Sequence, residues 1–250
     1  MSDLVVQLVA VQKAVHSPAG HRQVLNGIDL SVNRGERVAF VGPNGSGKTT
    51  LLRVLLGADP ADSGKVSVNS DCLRGVSYVP QDYRNALFPW LRLSTNLTLA
   101  FSTVNSDHAP PTEESYKELE QTFCVSLDLD KYPYQLSGGE QQIFVLSRAI
   151  LTRPSLLILD EALSAVDYGR RRRIQEFLGA WLPETGCTFI CATHDFEEAV
   201  LLSDRVLAFD SRTGTLAASV DVPLGWPRGH QARETNEFRA AVEHLIETVL

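Results

Sequence analysis

Nowhere in the 250 residues does an apolar run approach the ~20 residues that a membrane-spanning helix needs. Positive charge is in deficit. Lys and Arg total 23 against 30 Asp and Glu, a net charge of -7, which argues against the basic face that nucleic-acid binding requires. The one basic run, Arg170 to Arg173, reads as a solvated helix face. Cysteine is scarce, with only Cys72, Cys124, Cys187 and Cys191. Cys187 and Cys191 fall in one apparent strand, where four residues span roughly 13 Å. That is too far for a disulfide or a shared metal, so they read as buried free thiols. The opening residues lack a basic segment, and no apolar stretch ends in a small-residue cleavage site, so no secretory leader is expected. No internal repeat or low-complexity tract occurs. The expectation is a cytosolic protein able to dock on a membrane protein.

What is present is enough apolar material, 44% of residues, to fill the core of one large domain or of one domain with an inserted lobe. Strands are predicted at Leu4 to Val11, Val24 to Val32 and Arg37 to Val41, with a turn at His16 to Gly20. The Arg37 to Val41 strand enters a glycine-rich loop, and Thr49 to Leu56 after it has helical character up to Gly57. Short strands follow at Lys65 to Val68 and Val76 to Val79. From about Asp82 to Gln135 the pattern turns helical, at Thr95 to Phe101 and Glu113 to Val125, with a polar link over 105–112. Strands resume at Leu156 to Leu159, Thr188 to Ala192 and Arg205 to Phe209, each preceded by a helical stretch. Such alternation predicts parallel strands with helical crossovers. At the end, Phe238, Val242, Leu245, Ile246 and Val249 mark one face of a helix.

The glycine loop is Gly42-Pro43-Asn44-Gly45-Ser46-Gly47-Lys48-Thr49, followed by Thr50. Glycines let the backbone wrap so that successive N–H groups point inward at phosphate oxygens, and the following helix directs its positive end at the same anion. Lys48 is placed to reach β- and γ-phosphates, and Thr49 to hold Mg²⁺. The run Leu156 to Leu159 ends in Asp160-Glu161. Two carboxylates there sit where ligands gather in parallel sheets. Asp160 fits a Mg²⁺ partner, and Glu161 fits a base that orients or deprotonates an attacking water. His194 and Gln81 each follow a strand. The imidazole could donate to a γ-phosphate, and the amide could contact both Mg²⁺ and water. A second glycine motif, Leu136-Ser137-Gly138-Gly139-Glu140, has no use within this set.

The order of these elements, with Ser164-Ala165-Val166-Asp167 between Glu161 and His194, resembles the ATP-binding subunit of an ABC transporter over roughly residues 4 to 220. The Leu-Ser-Gly-Gly-Glu element is that family's own signature. The resemblance implies an α/β fold: a P-loop NTPase core with an N-terminal antiparallel β-subdomain and an inserted α-helical subdomain. It implies a single ABC-type ATP-binding domain over 1–250, with the helical signature subdomain at approximately 82–152. ATP and Mg²⁺ are the implied cofactors. Two copies, or this chain and a paralogue, would pair head to tail, so that Ser137, Gly138 and Gly139 of one close on the γ-phosphate held by the other. Asp167 would lie at that interface. Transmembrane permease subunits would be partners at the cytoplasmic face of the membrane, and a solute-binding protein an indirect one. Phe88-Pro89-Trp90-Leu91 and Thr193 to Arg205 look like importers of nitrate, sulfonate, taurine and related small solutes. In those, the Gln81 loop and helical lobe grip a short permease helix.

The sequence departs from the family pattern in places. The aromatic residue that stacks on adenine falls near Val15 or His16, which leaves His16 as the ring in that position. Ile143 stands where the family usually has Arg, and Ala162 where Pro commonly follows the catalytic Glu. A soluble ABC ATPase serving assembly or repair and an exporter subunit are the competing readings. An ordinary P-loop kinase or GTPase would lack the signature, and no guanine-reading Asn-Lys-x-Asp is present.

Overall fold

A computed structural model describes residues 3–17, 20–70, 72, 75–103 and 113–249. Two sheets carry the fold. The first is an antiparallel three-stranded sheet, β1 (Leu4–Ser17), β2 (Gly20–Asn33) and β4 (Ser63–Val68), with β1 in the middle. The second has six strands: β3 (Arg37–Val41), β5 (Val76–Val79), β6 (Leu156–Asp160), β7 (Thr188–Thr193), β8 (Arg205–Asp210) and β9 (Thr215–Asp221). Their spatial order is β5-β6-β7-β3-β8-β9. The first five run parallel, as the strand–helix alternation predicts, and β9 adds antiparallel at the edge. The hairpin of β1 and β2 runs beyond Val11 through several register shifts, so His16, Ser17 and Gly20 of the predicted turn belong to strands. Pro18 and Ala19 lie outside the described residues.

The large sheet separates two cores because its strands alternate with period 2. In β3, Val38 and Phe40 face one core while Ala39 and Val41 face the other. Leu156 and Ile158 oppose Leu157 and Leu159 in the same way. One face packs on α1 (Lys48–Leu55) and the small sheet. The other packs on α2 (Leu93–Thr103), α3 (Glu113–Thr122), α4 (Gly138–Leu151), α5 (Tyr168–Thr185), α6 (Phe196–Leu202) and α7 (Asn236–Val249). Strands buried on both faces account for the unbroken apolar runs of β3 and β6. The polar link over 105–112 lies outside the described residues. Cys187 and Cys191 are buried free thiols as expected, and Cys124 is exposed. Burial pushes the Cys187 thiol up to about 12.

The basic run lies on a partly solvated helix face, with contacts of its own. Arg170 pairs with Asp167 at 3.6 Å and donates to the Cys124 carbonyl, Arg171 donates to the Ser164 carbonyl, and Arg172 to the Tyr168 hydroxyl. Arg170, Arg171 and Arg172 are half-buried and Arg173 is exposed. These side chains tie the start of α5 to its surroundings.

The C-terminal segment is bolted on by Arg228, which is 1% exposed. Its guanidinium donates to the carbonyls of Val200, Ser203 and Leu224 at 2.6–2.7 Å, the first two of them at the end of α6, where helix carbonyls are left open. It also lies 4.2 Å from the Trp226 ring centroid, and Arg37 lies 4.3 Å from the same ring. Backbone contact is equally close, since an added Cβ on Gly179 of α5 would fall 1.9 Å from the Arg228 carbonyl oxygen.

Candidate nucleotide site

Four neighbouring strands end on one side of the large sheet and carry the candidate groups in spatial order. Gln81 follows β5, Asp160 and Glu161 end β6, His194 follows β7, and the glycine loop follows β3. Carboxyl ends of parallel strands are where ligands bind in open α/β sheets.

The loop wraps as its composition predicts. Gly47 has φ 111° and caps α1, and an added Cβ there would meet the Val24 carbonyl at 2.9 Å. Only glycine combines that backbone with that approach. Leu51 N–H is the first of α1 to bond back, to Gly47, which leaves the earlier N–H groups without intrahelical carbonyls. Lys48 is buried, and its Nζ donates to the carbonyls of Gly42 at 2.8 Å and Pro43 at 3.2 Å. It also lies 3.5 Å from Glu161 Oε1. The Ser46 hydroxyl is buried in the loop without a hydrogen-bond partner, which a phosphate oxygen would supply.

The carboxylates divide the work. Asp160 is fully buried, and its two oxygens accept from Thr49 Oγ1 at 3.0 Å and Tyr78 OH at 3.1 Å. Burial pushes its carboxyl up, against those hydrogen bonds and Lys48, which hold it down. Burial also raises the Tyr78 hydroxyl. Glu161 receives Gln81 Nε2 at 3.1 Å and stands 3.6 Å from His194 Nδ1. Its backbone has φ 47°, a region that side chains other than glycine adopt infrequently. Thus Lys48, Gln81 and His194, from three different elements, converge on one carboxylate. Hydroxyl and carboxylate oxygens at Thr49 and Asp160 form a donor set suited to Mg²⁺.

A cleft of about 550 Å³ opens over the loop, lined by Val15, Arg22, Val24, the stretch 44–50, Gln81 and Glu161. Asn44, Gly45, Ser46, Gly47, Lys48, Thr49 and Thr50 therefore all border it. Sequence reasoning missed Arg22, Val24 and Tyr78. Arg22 stands opposite Val15 in the hairpin. The backbone of His16 pairs with His21 in β1 and β2, but its side chain lies outside the described residues.

Ser137, Gly138, Gly139 and Asp167 do not line this cleft. Ser137 caps α4 in a reciprocal box. Its N–H and hydroxyl donate to Glu140 Oε2 at 2.8 and 2.7 Å, and Glu140 N–H points back to Ser137 Oγ. Those bonds hold the Glu140 carboxyl below its usual range. Gly138 lies against Tyr83, whose hydroxyl would sit 2.6 Å from an added Cβ. Asp167 caps α5, accepting from Arg170 N–H. Gln142 of α4 accepts from Ala165 N–H at 3.1 Å, joining the two helix starts. No helix among the described residues is long and apolar enough to cross a membrane.

Comparisons with known proteins point to one family. The spermidine/putrescine import ATP-binding protein PotA of Escherichia coli strain K12 is 36% identical over 211 residues, covering 81% of this chain and 53% of that protein. Its namesake from Haemophilus influenzae strain Rd is 35% identical over 222 residues, covering 85% and 57%. The chain spans about half the length of these curated relatives. Among solved structures, the dimeric post-hydrolysis ATP-binding cassette MJ0796 bound to ADP and Pi is similar with a TM-score of 0.75. Identity there is 25%, over 88% of this chain and 100% of that one. The family profile described as ABC transporter matches residues 25–164. That stretch runs from Leu25 in the hairpin to Ser164 just past the second carboxylate, the part of the molecule that builds most of the cleft, and the chain belongs to the ABC transporter family.

Proposed function

We propose that this chain is the ATP-hydrolysing subunit of an ABC importer, working as a dimer around two ATP–Mg²⁺ at the cytoplasmic face of the membrane. One observation carries this reading: the Ser137–Gly139 motif, at the start of α4, stands outside the cleft over the phosphate loop. A second copy, or a paralogue, supplies the missing half to each.

In this reading Lys48 and the backbone from Gly42 to Thr50, through every N–H except at Pro43, which has none, grip the phosphates. Thr49, Asp160 and Gln81 hold Mg²⁺, which when bound offsets charge on the phosphate oxygens. Glu161 orients the attacking water and takes its proton as the oxygen bonds to the γ-phosphorus and ADP leaves. His194 donates to the γ-phosphate, while Ser137, Gly138 and Gly139 of the other copy cover it and Asp167 lines the seam. Closure is then a population shift driven by contacts made only in the closed dimer. The whole of 1–250 acts as one cassette, and its helical part, approximately 82–152, faces the permease.

Phe88 and Trp90 support docking on a permease helix. Both are exposed, Trp90 at 68%, and their rings meet edge to face at 5.7 Å. The solute is small. Names of the curated relatives favour a polyamine such as spermidine or putrescine, whereas the segments 88–91 and 193–205 favour the nitrate, sulfonate and taurine group. A solute-binding protein enters only indirectly, and nucleic acid is not a partner.

Glu161→Gln tests the core of the proposal. With saturating ATP and Mg²⁺ the variant should elute as a dimer in size-exclusion chromatography while hydrolysis is lost. A variant that stays monomeric both alone and with its permease would refute the shared site.

A further inference from the structure

His194 has little packing of its own. Its side chain is 60% exposed, with Nδ1 3.6 Å from Glu161 Oε2. Where such a ring points is set mainly by the backbone that carries it. The residues on either side of His194 are pinned together. Thr193, the last residue of β7, donates from Oγ1 to Glu198 Oε2 at 2.6 Å. The same hydroxyl accepts from the Asp195 N–H at 3.1 Å. Asp195 Oδ1 in turn accepts from the Glu198 N–H at 3.1 Å and caps α6. Three bonds thus close a ring through Thr193, Asp195 and Glu198, with His194 at its outer corner.

In a capping box the acid at the third helical position takes the N-cap N–H directly. Here the Thr193 hydroxyl stands between the two, so the box reaches further back and takes in both neighbours of His194. A cap alone does not require this relay, because the Asp195 side chain already satisfies a helix N–H. Both ends of the ring are anchored. Thr193 is 3% exposed, and Ala199, Val200, Leu201 and Leu202 of α6 are buried. The ring therefore ties an exposed imidazole to the core.

We infer that Glu198, acting through Thr193, is a positioning residue for His194. It holds the imidazole at the site without touching nucleotide itself. The inference rests on the role proposed for His194 above.

A double-mutant cycle on the full chain tests it, reading ATP turnover at saturating ATP and Mg²⁺ and the ATP Kd by calorimetry. Thr193→Val keeps the shape of the side chain and removes the hydroxyl. Glu198→Met removes the acceptor at similar length. Each should lower kcat roughly 10- to 100-fold, as misplacement of a reacting group does, and leave Kd unchanged. Thr193→Ser and Glu198→Gln keep a hydroxyl and an acceptor and should retain turnover. In a His194→Ala background, Thr193→Val and Glu198→Met should lower kcat no further, because coupled residues are not additive. Full additive losses in that background would overturn the positioning role. So would a Kd that weakens in step with kcat, or an undiminished kcat in Thr193→Val and Glu198→Met. If Glu198→Met does not fold, the two Thr193 variants decide. His194→Ala with wild-type turnover would instead overturn the role of His194, and that of Glu198 with it.

Discussion

Lys48 Nζ stands 3.5 Å from Glu161 Oε1, and both side chains are withdrawn from solvent. The cation proposed to grip phosphate and the carboxylate proposed to activate water are therefore already partners in this structure. Lys48→Ala removes the grip and leaves Glu161 facing only Gln81 and His194. Charge-assisted hydrogen bonds are worth about 1.5–3 kcal/mol each, so affinity for ATP should fall about 100-fold or more. Isothermal titration with ATP and Mg²⁺ reads this directly, and an unchanged Kd would remove Lys48 from the site.

Tyr78 holds the back of Asp160 through a 3.1 Å hydrogen bond. Groups that orient a metal ligand typically change metal affinity about 10- to 100-fold when removed. Tyr78→Phe should raise the Mg²⁺ concentration for half-maximal ATPase activity by roughly tenfold while sparing ATP binding measured without Mg²⁺. If the Mg²⁺ titration does not move, Tyr78 is only packing.

Gly179 has no room for a methyl group, because the Arg228 carbonyl would lie 1.9 Å from it. Gly179→Ala must push the C-terminal segment off α5, at a cost of about 1–3 kcal/mol or more. Gly225→Ala is the control, since nothing lies within 4 Å of its added Cβ. Urea unfolding should show a lower midpoint for the first variant alone.

The Ser137–Glu140 box makes stability depend on pH. Hydrogen bonds from the Ser137 hydroxyl and N–H depress the Glu140 pKa. Its contribution is thus complete above the unfolded value, about 4.3, and is lost as the pH falls through the lower folded value. Glu140 is partly exposed, so screening limits the effect to about 1 kcal/mol or less. Glu140→Gln should be less stable than wild type at neutral pH, and the two should converge in acid. Thermal melts across that range decide it, and a gap that persists or widens in acid would exclude this role for the carboxylate.

Much of the cleft is legible in the sequence because each strand that feeds it is an apolar run closed by glycine, acid, histidine or proline. β3 and β6 are buried on both faces, so hydropathy alone marks them. β9 escapes because it is an antiparallel edge strand in which only Val220 is buried. Tyr78 is hidden inside an apolar run, where its hydroxyl gives no signal. Arg22 and Arg228 are unreadable for another reason: both donate mainly to backbone carbonyls, and a carbonyl leaves no trace in side-chain identity. The helical part shows the usual drift at helix ends. α3 stops at Thr122 rather than Val125, with Cys124 at φ 50°.

The order β5-β6-β7-β3 across the large sheet also bears on how the proposed activity would be lost. Gln81, the two carboxylates, His194 and the phosphate loop are spaced by the ladder of one hydrogen-bonded sheet, while the Ser137 motif rides on a separate layer of helices. Gentle denaturant frees the least stable units of a protein first. Nucleotide affinity should then survive until the central sheet itself melts, whereas turnover, which needs the helical layer in place, should fade at lower denaturant concentrations. Between those two transitions the chain would hold its nucleotide without consuming it.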